Sequence, residues 1–344
     1  MKILILIAIL FFSLLLNAQE VLSPLISNPV LSVEKLFINK NKSAITLPFF
    51  DDFSHNKPNV NTDLWEQSSV FVNSTYPINP VTIGVATFDG LDEYGFARSF
   101  SQVNPSSPSD TLLSQEIDLS AIDAAYLMFY FQGKGIGDSP QFNDSLVLEF
   151  FSDALMWEQI WFSFGQPMQE FEKVINIIND PKFLHNAFQF RFRNYATISG
   201  NFDHWHIDYI KLDEFLSSSD TSVLNDVSFV YNIPSFLKNY EQMPWSHFKN
   251  NEEAELKDSI DVILRNNQSN SFRTFKYDLF ENNVWTPQFP LYNGSYNGPY
   301  ELEINLYDQI GNYFLEDPNT VSIGTDIFDS FLEDSVSFHF KFVS

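Results

Sequence analysis

In Ala187-Phe188-Gln189-Phe190-Arg191-Phe192-Arg193, three phenylalanines alternate with one glutamine and two arginines. Successive side chains of a strand point to opposite faces, so the stretch predicts a half-buried strand, rings on one side and polar groups on the other. The same period of two recurs near the C-terminus, where Val336, Phe338, Phe340 and Phe342 share a face opposite Ser337, His339 and Lys341. Tyr126 to Phe131 and Leu146 to Phe151 are more continuously apolar and predict central strands covered on both sides. Gly, Pro, Asn and Asp separate these runs, the punctuation of an all-β sandwich. Gln166 to Ile178 is the ambiguous segment, since Phe171, Val174, Ile175 and Ile178 also fit a helical stripe; it reads as loop and strand.

The length of 344 residues suggests two domains, and the 44% hydrophobic content excludes a chain too polar to fold. With 44 acidic and 19 basic side chains the net charge is -25, a surface that repels phosphate backbones and excludes nucleic acid as a partner. There is no cysteine, so stability must come from core packing.

Met1-Lys2, the apolar run Ile3 to Leu16 and the small residue Ala18 have the layout of a secretory signal peptide, residues 1–18. The run is short of the roughly 20 residues needed to cross a bilayer, so no transmembrane helix is expected in the mature chain. Residues 19–46 read as a leader strapped along a domain edge. A sandwich over 47–215 follows, then a linker over 216–250 that opens with Leu216-Ser217-Ser218-Ser219-Asp220-Thr221. Residues 251–344 fit an immunoglobulin-like β-sandwich, with turns at Asn293-Gly294-Ser295 and Asn297-Gly298-Pro299.

The chain has no G-x-S-x-G elbow, H-E-x-x-H helix, Walker loop or C-x-x-C pair. Gly133-Lys134-Gly135-Ile136-Gly137 reads as an inter-strand loop. The densest cluster is Asp203-His204-Trp205-His206-Ile207-Asp208-Tyr209-Ile210. On a strand, His204, His206 and Asp208 project from one face, and Asp203, Trp205, Ile207 and Tyr209 from the other. Three such positions span about 13 Å, too far to meet one ion without a bend. The histidines therefore read as half-exposed strand positions, and Asp208 as a single ligand to a site completed elsewhere. Asp51-Asp52 is the candidate completion, because calcium takes six to eight oxygens and favours paired carboxylates; the alternative is a solvated acidic turn.

Several motifs occur in a set order. They are Phe50-Asp51-Asp52-Phe53-Ser54 and Trp65, Ala86-Thr87-Phe88-Asp89-Gly90-Leu91, Leu127 to Gln132 with its glycine loop, Asp144-Ser145-Leu146, Trp157 and Trp161, and Trp205-His206-Ile207-Asp208-Tyr209-Ile210. Over Leu47 to Glu214 this set resembles the MAM-type jelly roll, and in particular its cysteine-free relatives in surface proteins exported by the type IX secretion system of Gram-negative bacteria. The resemblance implies a concanavalin-like jelly-roll sandwich in an adhesion or recognition protein, with a structural Ca2+ site shared by its first and last strands. Carried over by position, that site falls on Asp52 and Asp208, with Asp51 beside them. The disulfides of animal MAM domains are absent here, and no C-terminal sorting domain follows the second sandwich. Asp-Ser/Thr-apolar triplets at Thr111, Ser145, Ser259 and Ser335 resemble the O-glycosylation sequon of such bacteria.

The reading that unites these features is a non-enzymatic, secreted or cell-surface recognition and adhesion module, the N-terminal part of a larger exported protein. Its expected partner is an extracellular protein or glycan. A carbohydrate-binding module, or an accessory domain of an extracellular hydrolase, is the alternative; a hydrolase with a dispersed acidic site is a third. Trp157, Trp161 and Trp205 lie inside apolar runs and are expected in the core, and the excess of phenylalanine, 37 residues, falls largely on alternating strand faces that are expected to fill sandwich cores and to supply no aromatic binding stripe.

Overall fold

The computed structural model describes residues 27–31, 44–55, 58–99, 106–166, 170–217, 227–232, 234–235, 237–248, 251–255 and 259–267. Beyond these it describes the backbone of strands at 274–281, 284–285, 302–305, 319–324 and 338–343. The signal segment, the turns at Asn293 and Asn297, and Ser335 lie outside the described residues.

The first sandwich is made by β1 (Phe49–Asp51), β2 (Trp65–Ser68), β3 (Phe71–Asn73), β4 (Val85–Phe88), β5 (Ser107–Ser114), β6 (Ala125–Gly133), β7 (Ser145–Phe151), β8 (Trp157–Phe164), β9 (Glu172–Ile178), β10 (Phe190–Ala196) and β11 (Trp205–Glu214). One sheet has six strands in the order β3-β4-β11-β6-β9, with β1 also paired to β11; the other has five, in the order β2-β5-β10-β7-β8. Within them, β4-β11-β6-β9 and β5-β10-β7-β8 are the two interleaved four-stranded halves of a jelly roll. The ambiguous segment ends in an edge strand, β9, and not a helix.

Alternation explains how the sheets face each other. Phe188, Phe190 and Phe192 are fully buried against Leu127, Phe129, Trp205, Ile207 and Trp65 in one core cluster. Phe129 meets Phe192 edge to face with centroids 4.8 Å apart, and Trp161 caps Phe131 at the same 4.8 Å. Each such ring contributes roughly 1.5–3 kcal/mol by leaving water, which makes a cysteine-free core sufficient. The leader touches this body where Ile45 bridges Ile117 and Ser27 bridges Phe96.

The long strand β11 organises the six-stranded sheet. One edge pairs with β6; the other is shared, β4 taking Trp205–Ile207 and β1 taking Ile210–Leu212. At the seam the register against β6 shifts between Asp208 and Lys211, and Tyr209 adopts a φ of 52°. This β-bulge turns Tyr209 away from the face of Trp205 and Ile207. It packs instead with Val81, Tyr126 and Met128 on the other side of the sheet, a correction to the simple alternation expected through this strand. Gly84 lies beside the seam, where a Cβ would sit 1.8 Å from the Phe53 carbonyl oxygen.

The histidines also depart from expectation. Loops from both directions cover the outer side of β11, so His204 and His206 are buried, not half exposed. His206 bonds Thr87 Oγ1 through Nδ1 at 2.9 Å and the Lys134 carbonyl through Nε2 at 3.1 Å. His204 stacks on Tyr76 at 4.9 Å and accepts from the Asp138 amide. The glycine loop after β6 is packed on these rings: a Cβ on Gly135, at φ 57°, would lie 2.6 Å from His206 Nε2.

Beyond the sandwich come β12 (Val227–Phe229), β13 (Ser259–Asn266), β14 (Thr274–Glu281), β15 (Val284–Trp285), β16 (Leu302–Asn305), β17 (Asn319–Gly324) and β18 (Phe338–Val343). They pair as a three-stranded sheet, β12-β13-β17, and as a sheet in which β14 meets β15, β16 and β18. The segment read as a linker thus contains a strand, β12, and a helical turn at Trp245–Phe248. This part also grips the jelly roll. Arg265 Nη1 donates to the carbonyls of Asn79 and Pro80 at 2.9 and 3.2 Å, Ser228 Oγ donates to Val81 O at 2.7 Å, and Asn79 N donates to Tyr231 Oη at 2.9 Å.

Candidate functional site

The three carboxylates expected around calcium occupy three different settings. Asp51 points inward from β1. Its Oδ2 accepts the Trp65 indole N–H at 2.6 Å and its Oδ1 the Phe53 amide at 2.9 Å, so it anchors the central tryptophan of the core. Burial raises its pKa to about 6. Asp52 closes the next turn, its Oδ1 accepting from both Ser54 N and Ser54 Oγ. Asp208 is fully buried on the opposite side of the sheet from Asp51.

Both oxygens of Asp208 are engaged. Oδ2 accepts the Val81 and Thr82 amides at 3.0 and 2.8 Å, and Oδ1 lies 2.7 Å from Thr82 Oγ1, which also lies 2.9 Å from the Asp52 carbonyl. The structure thus brings Asp52 and Asp208 together through Thr82 and leaves Asp51 apart. Burial, opposed by these bonds, raises the Asp208 pKa to about 8. Amide donors converge where a cation would need bare oxygens, so this donor set does not fit calcium. Among the described residues no group of three or more His, Cys, Asp or Glu side chains is arranged to hold a metal.

A different surface has the makings of a ligand site: the outer face of the five-stranded sheet. On β7 the alternation buries Leu146, Leu148 and Phe150 and turns Glu149 and Phe151 outward. Across the sheet, β10 lays Arg191 beside Glu149 and Arg193 beside Val147, while β8 lays Phe162 beside Val147 and Phe164 beside Ser145. Phe162 and Phe164 are 44% and 52% exposed, and Phe142, in the loop before β7, is 74% exposed. Phe142 stacks on Phe164 with centroids 5.4 Å apart, and Phe162 meets Phe164 edge to face at 4.9 Å. Next to the rings, Glu149 accepts from Arg191 Nε at 2.6 Å and from Arg193 Nε and Nη2 at 2.8 and 3.0 Å. The Arg191 guanidinium also lies over the Trp157 ring at 4.1 Å.

The loop carrying Phe142 is held from beneath by a cluster of acids. Gln141 Nε2 donates to Asp203 Oδ1 at 2.8 Å, and the Gln141 amide donates to Asp144 Oδ2 at 2.7 Å. Burial raises both carboxyls, Asp203 to about 6.

Sequence reasoning missed this face. Phe142, Phe162 and Phe164 form an aromatic patch where no aromatic stripe was expected, and Trp157 is half exposed while Trp161 and Trp205 are in or against the core. One signal was available. In Trp157-Glu158-Gln159-Ile160-Trp161-Phe162-Ser163-Phe164 apolar side chains fall on both parities, so an edge strand must show some of them to solvent. Of the sequon-like positions, Thr111 and Ser145 lie on strands of this sheet, each partly exposed, with Asp110 and Asp144 buried.

No protein-family model and no curated protein matches the chain. Among solved structures it is similar to the K1 cleaved adhesin domain of Lys-gingipain from Porphyromonas gingivalis W83, at 8% identity and TM-score 0.32, over 48% of this chain and 98% of that one. It is also similar to the carbohydrate-binding module TmCBM61 in complex with beta-1,4-galactotriose, at 10% identity and TM-score 0.28, over 52% and 99%. A third is the CBM22-1 xylan-binding domain of Paenibacillus barcinonensis Xyn10C, at 7% identity and TM-score 0.27, over 48% and 92%. The described chain is an all-β protein with a jelly-roll sandwich. Among the described residues no helix is long and apolar enough to cross a membrane.

Proposed function

We propose that this protein is a secreted or cell-surface recognition module, without catalytic activity, that takes an extracellular glycan on the outer face of its five-stranded sheet. The observation that carries this reading is the contiguous exposure of Phe142, Phe162 and Phe164 beside the Arg191-Glu149-Arg193 group. Flat rings offer the apolar faces of sugars a platform, and fixed polar groups beside them supply orientation. The rest of the reading rests on the sequence: export through a signal peptide, kinship with MAM-like modules of type IX secretion, and an immunoglobulin-like second sandwich. The opposite sheet is the poorer ligand face, because the loop over residues 78–82 and the strands beyond it cover part of its outer side.

The test is a glycan array probed with the wild-type chain and with Phe164→Ala. Binding that the variant loses by about fivefold or more supports the assignment, since stacking on one ring is worth on the order of 1 kcal/mol. Wild-type signal at background on every glycan would dispose of it. An extracellular protein is the second reading, favoured by β8 being, among the described residues, the edge strand of its sheet, a place where a partner strand can add. Such binding would survive Phe164→Ala.

A further inference from the structure

The charge at the centre of this face narrows the ligand, provided that the face is a glycan site at all. Glu149 is one carboxylate, buried at the base of the face, and it serves two guanidinium groups. Arg191 uses only Nε for it, and its two terminal nitrogens make no hydrogen bond among the described residues. Arg193 spends Nε and Nη2, leaving Nη1. At the margins Lys182 pairs with Glu158 and Asp180, and Glu66 accepts from the neutral Gln189 amide, so those groups leave an excess of two negative charges at the rim. In a chain of net charge -25 and inside an acidic rim, Arg191 and Arg193 over Glu149 hold a local excess of one positive charge at the middle of the exposed sheet, with donors left over. Glu149 below and the Trp157 ring beside Arg191 fix the planes of the guanidiniums before any ligand arrives, which lowers the ordering cost of binding. Planar forks of this type match a carboxylate.

Arg193 and Phe162 lie in one row, on either side of Val147, two strand spacings or about 10 Å apart. One sugar chain can thus offer a carboxylate to the arginines and a ring face to the phenylalanines.

We propose that the ligand of this face is an acidic glycan whose uronate carboxylate is received by Arg191 and Arg193 while a neighbouring sugar stacks on Phe162 and Phe164. The experiment compares a short oligouronate with its carboxyl-reduced, neutral counterpart by calorimetric titration of the full chain. Wild type, Arg193→Gln, Arg193→Lys and Phe164→Ala are titrated, each first shown to melt as a folded protein. The oligouronate is expected to bind at least about tenfold tighter than its neutral counterpart, a charge-assisted fork being worth on the order of 1.5–3 kcal/mol. Arg193→Gln should erase that preference, and Arg193→Lys should restore it only in part. If both oligosaccharides bind alike, with Phe164→Ala harmful and Arg193→Gln silent, the acidic-glycan assignment is overturned and the glycan face stands. If neither binds, the acidic-glycan assignment is overturned, while the glycan face falls only with a blank array; if both bind and neither variant alters binding, both readings fall. An acidic peptide that competes as well as the oligouronate also overturns the assignment.

Discussion

Thr82 Oγ1 carries one proton and stands between two acceptors, the Asp52 carbonyl at 2.9 Å and Asp208 Oδ1 at 2.7 Å. The arrangement is satisfied when Asp208 is protonated, so that its own hydroxyl donates to Thr82 and Thr82 donates to Asp52. A carboxyl held at a pKa of about 8 by burial is in that state at neutral pH. The buried aspartate is then a neutral clasp for the amides of Val81 and Thr82 at the seam between β4 and β1.

Asp208→Asn keeps acceptors for both amides and a donor for Thr82, and is expected to fold with little loss. Asp208→Ala strands three buried partners and should cost about 2–4 kcal/mol, read as a lower denaturant midpoint. Equal losses in the two variants would contradict the neutral clasp.

Stability should rise as the solution is made mildly acidic. Asp51, Asp110 and Asp203 are raised by burial to about 6 and Asp208 to about 8, from 3.8. In that interval the folded chain binds more protons at these groups than the unfolded chain, so their contribution is whole below about pH 4 and is lost as pH climbs through the folded values. His204 and His206 act in the other direction. Burial lowers them to about 4 and about 3 from 6.5, so their contribution is present above 6.5 and lost as pH falls. Four carboxyls outweigh two imidazoles. Melting temperature measured by circular dichroism should fall by several degrees between about pH 5 and about pH 8.5, and Asp208→Asn should flatten the alkaline part of the slope.

Calcium should leave the melting curve where a chelator leaves it, because the oxygens of Asp208 and Asp51 already receive protein donors. An ion bound only by the folded state raises the midpoint in proportion to the logarithm of its concentration. A calcium-dependent rise lost in Asp52→Ala would restore the carboxylate site expected from the motifs.

Arg265→Ala should loosen the β12-β13-β17 sheet from the jelly roll. The guanidinium is buried and bridges two consecutive carbonyls of the 79–80 turn, which would be left without that partner. Calorimetric unfolding is expected to separate into two transitions, with faster proteolytic cleavage between β11 and β13. A single transition at the wild-type midpoint would show that the clamp adds nothing.

The alternation around Phe190 and Phe192 made the sandwich legible, because a strand buried on one face leaves a period of two in the sequence. The seam was not legible in the same way. Whether Tyr209 continues an alternation or takes the extra position of a bulge depends on which strands meet β11 from its other edge, and that is settled by residues far away in the chain. The same holds for His204 and His206: a polar strand face reads as solvated until loops from elsewhere fold over it. Phe162 and Phe164 failed for the opposite reason, since an exposed ring and a core ring are the same letter and only the edge position of β8 tells them apart.

The place of β11 bears on how the chain comes to fold. It is the last strand of the jelly roll in sequence, yet it lies between β4, β1 and β6, and β10 before it lies between β5 and β7. Neither sheet can close until β10 has joined β5, roughly 80 positions earlier, and β11 has joined β4 and β1, more than 100 positions earlier. Long-range closure of this kind is slow. A nascent chain would therefore stay open until residues 190–214 had been made, and the jelly roll would be sealed only when its last strand arrived.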